Sequence, residues 1–397
     1  MTTTSALSYD PYDTTLVKDP YPTYRRMREE APLYYNAQHD FYALSRFEDC
    51  QRGLPDWQTF SSARGAILEL IKADIEIPPG TLIFEDPPIH DLHRGLLSKV
   101  FTPRRVRELE PQIREYCRRS LDPLVGSGRF DLIKQFGSEM PMRVIGMLLG
   151  IPESGQEEMR DKVDEGLRVG ENGQMEFSEG AIPSLGIFED YLDWRVKHPS
   201  DDLMTELLNA TFVDESGVER TLTREELLLY ITVLAGAGTE TTTRRIGWTG
   251  VLLAQHPEQR RQVVQDRSLV GAAITEILRF EAPGPHIARY VTRDVEFHGQ
   301  NVPAGSAVLF VVASANRDDR RYPDGDSFDI HRGDAEMLTF GLGPHYCLGN
   351  SLAKLEGRVA LEELLDRFPE WEVDYDGAEL SQTSTVRGWE TLPVVIG

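Results

Sequence analysis

A single cysteine near the end of the chain is surrounded by residues that could bring it against a bulky ligand. Residues 340–349 read Phe-Gly-Leu-Gly-Pro-His-Tyr-Cys-Leu-Gly, and Cys347 lies three residues before a run with helical apolar spacing. The glycines permit tight turns and close approach to a large group. A thiolate before a helix start faces unpaired N–H groups and the positive end of the helix dipole, which predicts a lowered pKa for the Cys347 thiol. The alternative is a buried structural cysteine.

An acid and an alcohol stand side by side in the middle of a long predicted helix. A capping box at Thr223–Glu226 opens this helix, which can continue to Gln255 before a His-Pro pair. Consecutive threonines and glycines are poor choices inside a helix, so Glu240 and Thr241 indicate a function other than helix formation. Ala237 shares a face with Thr241, and small residues there would let a flat ligand press on the helix.

The same stretch has a second interpretation as a strand followed by a dinucleotide-binding loop. Tyr230–Gly238 would supply the strand and two glycines of such a loop. However, Thr241 replaces the third glycine, and the acidic residue about twenty positions on is Glu258, directly after Pro257. These departures favour the helix.

Pairs of charged side chains at helical spacing mark two further candidate sites. His90 and Arg94 are four residues apart, and Glu276 and Arg279 are three apart, so each pair shares one helix face. Such pairs are also common on ordinary solvated helix faces, so spacing alone does not assign them a function.

A basic stretch between residues 94 and 119 stands out from the rest of the chain. It carries eight basic residues against Glu108, Glu110 and Glu115, a surplus of five positive charges (8 − 3). The stretch predicts either a solvated helix face or a docking surface for an acidic protein. The basic residues are Arg94, Lys99, Arg104, Arg105, Arg107, Arg114, Arg118 and Arg119.

The composition excludes several classes of protein. A formal net charge of −23 over 397 residues argues against nucleic acid as a partner. Cys50, Cys117 and Cys347 are too widely spaced for a disulfide framework or a zinc cluster, which favours a reducing compartment. The chain shows no basic-then-apolar leader and no uncharged apolar run of bilayer width. We therefore expect a soluble, cytoplasmic monomer without a membrane anchor.

The elements that must position these residues are mainly helices, with a few short strands. Residues 33–36 and 41–45 predict a hairpin, while Tyr290–Phe297 and Asn301–Val312 predict two strands joined at 298–300. The mixed-period stretch 63–88 predicts a surface loop or the wall of a pocket. The polar stretch 170–183 is a candidate mobile lid. No repeat or linker divides the chain, so we expect one domain over residues 1–397.

The cysteine loop, with its order Phe-Gly-x-Gly-x-His-x-Cys-Leu-Gly, closely resembles the haem-thiolate loop of the cytochrome P450 family. The resemblance implies a mainly α P450 fold, with one large helical domain and a small β-rich lobe from about 33–60, 288–330 and the C-terminal strands. It implies haem b, with Cys347 as the axial iron ligand and Phe340 shielding the sulfur. The other residues implied at the haem or its propionates are His90, Arg94, Ala237, Gly238, Arg289, Gly341, His345 and Gly349.

Other segments match the family in order along the chain. Glu240-Thr241 resembles the oxygen-activation pair, which implies that the acid relays protons from solvent and the alcohol holds a water at the haem face. Glu276, Arg279 and Arg332 would form a structural ion-pair triad. Many bacterial relatives carry another arginine where this chain has Leu92, so the match to the His-x-x-x-Arg motif is partial.

The resemblance implies a monooxygenase that inserts one oxygen atom from O2 into an apolar small molecule. Electrons would come from NAD(P)H through a reductase and a ferredoxin. A lipid, terpenoid or steroid is the expected substrate, and a macrolide-like polyketide is the second candidate. The competing hypothesis is a non-catalytic haem- or lipid-binding protein or sensor, which would not need Glu240-Thr241. The residues expected to border the substrate pocket are Ile83, Phe84, Leu234, His286, Ile287 and Val386, with Ile67, Leu68, Leu70 and Ile71 as further apolar candidates.

Overall fold

A computed structural model describes residues 6–75, 77, 80–166, 188–214, 216–333, 336–381 and 383–397, without the side chains of 159, 160 and 162–166. The candidate lid at 170–183 lies outside the described residues.

The helices are α1 (Thr14–Lys18), α2 (Tyr21–Glu30), α3 (Phe47–Gly53), α4 (Leu68–Ala73), α5 (Ile89–Ser98), α6 (Pro103–Glu108), α7 (Glu110–Leu121), α8 (Glu139–Leu148), α9 (Glu153–Gly166), α10 (Glu189–Lys197), α11 (Leu203–Asn209), α12 (Arg224–Gln255), α13 (Pro257–Gln265), α14 (Val270–Phe280), α15 (Val312–Ala315) and α16 (Asn350–Arg367). The strands are β1 (Leu33–Asn36), β2 (Phe41–Leu44), β3 (Phe60–Ser61), β4 (Arg129–Asp131), β5 (Thr211–Val213), β6 (Glu219–Thr221), β7 (Ile287–Val291), β8 (Val295–Phe297), β9 (Gln300–Val302), β10 (Ala307–Phe310), β11 (Trp371–Val373), β12 (Glu379–Leu380), β13 (Trp389–Thr391) and β14 (Pro393–Ile396).

The long helix α12 runs through the main hydrophobic core. Its capping box is formed in both directions, since the Thr223 hydroxyl accepts from the Glu226 N–H and the Glu226 carboxylate accepts from the Thr223 N–H. Its 32 residues span about 48 Å, at roughly 1.5 Å per residue. The helix ends at Gln255, and α13 begins at Pro257, so both predicted ends are confirmed. Helices α7, α8, α14 and α16 contribute to the same core.

The β-rich lobe brings together strands from both halves of the chain. Its five-stranded sheet has the order β1-β2-β10-β7-β3, with β2 and β10 parallel. The predicted hairpin β1–β2 is confirmed, with Leu33 opposite Leu44. Each of the two strands predicted across 290–312 is split in two, and the β8–β9 pair turns at His298 and Gly299, both with positive φ.

The C-terminal strands form small sheets of their own and do not extend the five-stranded sheet. Strand β14 pairs with β11 and β4, and β12 pairs with β13. Strand β4, from residues 129–131, pairs with the edge of β14 that β11 leaves open.

The stretch 63–88 is packed more tightly than a surface loop. Leu68 and Ile71 are buried in a core cluster with Tyr9, Tyr24 and Phe41. Helix α4 thus turns these side chains towards the N-terminal segment and the sheet, and their place at a substrate pocket stays a prediction.

No helix among the described residues combines the length and the apolar character needed to cross a bilayer.

Candidate functional site

The cysteine loop folds as a tight turn directly before α16. The Cys347 N–H donates to the Phe340 carbonyl at 2.8 Å, which closes the loop on itself. Gly341 and Gly343 have φ of +67° and +70°, in the region that favours glycine. A Cβ on Gly343 would also lie 2.6 Å from Pro55 Cα, so close packing against the chain after α3 requires glycine there.

Burial dominates the environment of the Cys347 thiol. Burial raises the pKa of Cys347, while the Gly349 N–H and the Arg94 guanidinium act in the opposite direction. The prediction of a lowered pKa is therefore wrong for the thiol by itself, because desolvation of a thiolate outweighs the helix end. A metal ion reverses this balance, since a coordinating thiol is deprotonated outright.

Four basic side chains converge beside the cysteine loop. His90 and Arg289 are buried, whereas Arg94 and His345 are half-buried. The rings of His90 and His345 are 4.4 Å apart, and His345 Nε2 lies 2.9 Å from the Glu85 carbonyl oxygen. The structure therefore brings together four residues from α5, β7 and the cysteine loop that the resemblance assigns to the propionates.

The electrostatics of this cationic cluster favour an anionic ligand. Burial lowers the pKa of Arg289 to about 10 and that of His345 to about 3, and repulsion from Arg289 and His90 adds to the His345 shift. Among the described residues, no carboxylate forms an ion pair with Arg94 or Arg289, and His90 Nε2 is buried without a hydrogen-bond partner. With their pKa values lowered, the imidazoles of His90 and His345 are neutral at pH 7. The positive charge of the cluster is therefore that of Arg94 and Arg289, and it needs compensating charge where it is buried. The residues present therefore fit a ligand with two carboxylates, such as a haem.

One face of α12 is open at the middle of the helix. Ala237 is exposed although it lies mid-helix, and Thr241 one turn later is half-buried. The Thr241 hydroxyl donates to the Ala237 carbonyl at 2.7 Å, so its lone pairs remain available as acceptors. At Gly238, a Cβ would overlap Ile145 of α8. The close approach of Ile145 gives the missing side chain a role in helix packing, and its place at the haem face stays a prediction.

Glu240 is positioned differently from its neighbour Thr241. It is buried, and its carboxylate lies 3.4 Å from Arg244 Nη2. Glu240 and Arg244 line a polar cavity of about 390 Å³, and Lys134 and Glu390 line the same cavity. The acid therefore reaches a polar cavity, and the alcohol lies on the open face of the helix.

The predicted triad is assembled around a buried carboxylate. Arg279 makes two bonds to Glu276, at 2.6 and 2.7 Å, and Arg332 Nε lies 3.3 Å from the same group. Arg279 also donates to the carbonyls of Asn316 and Gly325 at 2.8 Å. The triad thus fixes α14 to the segment that leads into the cysteine loop.

The predicted substrate-pocket residues have different surroundings in the described part of the chain. Ile287 lies beside Gly341 of the cysteine loop, while Leu234 packs against the main core. His286 and Val386 line a separate cavity of about 30 Å³ against the N-terminal segment. Burial lowers the pKa of His286 to about 4. In the short 3-10 turn at 82–84, Ile83 is 39% exposed and Phe84 is half-buried.

The basic stretch is largely neutralised within the chain. Arg104, Arg105, Arg114, Arg118 and Arg119 all pair with glutamates, four of them with partners that lie far away in the sequence. The sequence count of five surplus charges therefore overstates the charge of this surface, because folding brings carboxylates from α9, α11 and α16 against it.

Sequence analysis missed two groups that shape the site. The backbone carbonyl of Glu85 accepts a hydrogen bond from His345, and the Glu85 carboxylate lies 2.8 Å from Nδ1 of buried His93. The local sequence around Glu85 carries no signal for either contact. Arg244 holds Glu240 and also lies 3.2 Å from Glu390. Its i,i+4 spacing from Glu240 is a signal that could have found it.

Comparison with known proteins agrees with this geometry. The family model described as Cytochrome P450 matches residues 186–388. The cytochrome P450 123 of Mycobacterium tuberculosis is 35% identical over 98% of this chain and 97% of its own. The vitamin D(3) 25-hydroxylase of Pseudonocardia autotrophica is 34% identical over 100% and 98%. The structure of cytochrome P450 CYP109Q5 from Chondromyces apiculatus superposes with a TM-score of 0.85 at 32% identity, covering 98% of both chains.

Proposed function

The chain belongs to the cytochrome P450 family and is a haem-dependent monooxygenase that acts with O2 and redox partners on a small molecule. From that premise we propose that it binds haem b through Cys347, takes electrons from NAD(P)H through a ferredoxin and its reductase, and oxidises an apolar substrate. The observation that carries the proposal is the cationic cluster of His90, Arg94, Arg289 and His345 beside the cysteine loop.

Each part of the site has a distinct task in this proposal. The haem, when bound, supplies the reductive activation of O2 at its iron. Cys347 would bind the iron through its thiolate, and the cationic cluster would hold the two propionates by charge-assisted hydrogen bonds. Ala237 leaves room for the flat group against α12. Thr241 would hold a water on that face, and Glu240, the preceding residue about 100° around the helix, would supply protons to this water from the polar cavity.

The proposal is tested by following the oxygen atom. Purified protein with NAD(P)H, a ferredoxin and its reductase is supplied with ¹⁸O2 and an apolar substrate. We expect one labelled oxygen atom in the product and none from water. A protein that binds haem and substrate but forms no labelled product would be a binding protein or sensor instead.

For the substrate, we propose a lipid, terpenoid or steroid. Apolar Ile287 beside the cysteine loop supports this, and the 34% identical vitamin D(3) 25-hydroxylase shows that a relative acts on a molecule of this type. Spectral titration with steroids, fatty acids and macrolides, read as displacement of water from the iron, distinguishes the classes. Tighter binding of macrolides than of steroids would favour the polyketide alternative.

A further inference from the structure

A polar cavity of about 390 Å³ lies along α12, away from the open face that carries Ala237 and Thr241. Among the described residues, its walls come from the segment before α8, from the first turn of α8, and from α9, α12 and the C-terminal strand β13. The charged side chains that line it are Lys134, Glu139, Asp161, Glu240, Arg244 and Glu390. A volume of this size has room for several waters, since one water occupies about 30 Å³ of liquid.

Arg244 connects two carboxylates across this cavity. Its Nη2 lies 3.4 Å from Glu240 Oε1, and its Nη1 lies 3.2 Å from Glu390 Oε2. Nη1 also donates to the Trp389 carbonyl at 2.7 Å, which fixes the guanidinium against β13. The position is tightly packed, because a Cβ on Gly388 would lie 2.5 Å from Arg244 Cβ.

The three groups also form a gradient from the interior to solvent. The side chains of Glu240 and Arg244 are 7% and 8% exposed, whereas that of Glu390 is 46% exposed. A buried acid that must exchange protons with solvent needs such a connection.

We propose that this cavity is the route by which protons reach Glu240, with Glu390 as its outer carboxylate and Arg244 as the residue that positions both acids. The inference rests on the proposed monooxygenase function, which requires a proton supply. An arginine does not give up its proton at ordinary pH, so Arg244 orients and does not transfer. Waters in the cavity carry a proton from the side of Glu390 to the Glu240 carboxylate. Glu240 then passes one proton to the water held by Thr241 and returns to its charged form.

The first test compares Arg244→Gln, Arg244→Lys and Glu390→Gln with a matched control, Glu30→Gln, which removes the exposed i,i+4 pair with Arg26 on α2. For Arg244→Gln and Glu390→Gln we expect turnover to fall by about tenfold, below the roughly 10²–10⁴-fold typical of losing general acid assistance. The ratio of rates in H2O and D2O should rise, because proton supply becomes slower. Arg244→Lys should recover part of the rate, and Glu30→Gln should match the parent.

A second test first measures access to the cavity by thiol reactivity and then its effect on proton supply. Ser138 lines the cavity wall, so Ser138→Cys should react with a small charged thiol reagent faster than the three cysteines of the parent. A bulky adduct at this position should then raise the H2O/D2O rate ratio while the haem spectrum stays unchanged.

The outcomes separate this inference from the proposed function. If the enzyme forms labelled product but both Arg244→Gln and Glu390→Gln keep the parent's rate and isotope effect, the cavity is not the proton route. A Ser138→Cys adduct without effect on the isotope ratio would lead to the same conclusion. If the parent forms no product at all, the failure lies with the monooxygenase proposal.

Discussion

At the level of single residues, the cationic cluster beside Cys347 is the feature that most needs a ligand. Arg289 is buried, and among the described residues its guanidinium donates one hydrogen bond, to the carbonyl of Ala288 at 2.8 Å. Burying a guanidinium with so little compensating negative charge costs free energy on folding, and two propionates would supply that negative charge. Arg289 therefore gives a direct test of haem binding.

We expect Arg289→Ala to release haem faster than the parent. Hydrogen bonds to charged groups contribute about 1.5–3 kcal/mol, so the rate should rise by roughly 10–150-fold. The measurement is haem transfer to excess apomyoglobin. Arg293→Ala is the matched control, because this arginine is 63% exposed and lies two residues after β7. Equal rates of haem release from the two variants would show that Arg289 does not bind the haem.

The substitutions Thr241→Ala and Glu240→Gln should impair different steps, because Thr241 lies on the open face of α12 and Glu240 faces the polar cavity. Thr241→Ala should keep substrate binding and NAD(P)H consumption, but release more hydrogen peroxide per turnover because the water on the open face is lost. Glu240→Gln should slow turnover itself, on the scale of about 10²-fold. Product and peroxide are counted per NAD(P)H oxidised. A Thr241→Ala enzyme as well coupled as the parent would leave the hydroxyl without a role in proton supply.

At the level of elements, the triad around Glu276 holds α14 against the segment that leads to the cysteine loop. Arg279→Ala would leave the Glu276 carboxylate buried, and losing one partner of a buried pair costs about 3–5 kcal/mol. We expect the free energy of unfolding in urea to fall by about this amount. Arg267→Ala removes an exposed pair with Asp366 and should cost at most about 1 kcal/mol. Similar losses for the two variants would show that the triad is not a structural anchor.

The sequence predicted elements best where local signals fix them. The capping box and the His-Pro pair set the ends of α12, and the residues around the cysteine loop carried the family's pattern. Local signals fail where long-range packing decides. The placement of α4 in the core, the pairing of β14 with β4 and the role of Gly238 against Ile145 depend on partners that lie far away in the sequence.

At the level of the whole molecule, the net charge of −23 makes the basic stretch the natural place for an acidic redox partner. Folding neutralises much of it, as Arg105 with Glu206 and Arg114 with Glu363 show. Lys99 and Arg107 are exposed, and the described part of the chain gives neither of them an ion pair. These two residues should therefore carry more of the attraction than the sequence suggests.

We expect reduction by an acidic ferredoxin to slow as salt rises, since the Debye length falls from about 10 Å at 0.1 M to about 3 Å at 1 M. Lys99→Glu combined with Arg107→Glu should slow reduction at low salt by more than Arg104→Glu combined with Arg105→Glu. Arg261→Glu on α13, outside the basic stretch, is the control. Stopped-flow rates that do not depend on salt in any of these proteins would rule out docking by charge at this surface.

The most direct measurement of the central claim is the absorption spectrum of the reduced protein with CO. A haem bound by a thiolate gives a strongly red-shifted Soret band, so the parent should show it and Cys347→Ser should lose it. Cys117→Ser, in the core on α7, should keep the band and so control for the loss of a thiol. A Cys347→Ser protein that keeps the red-shifted band would show that Cys347 is not the ligand.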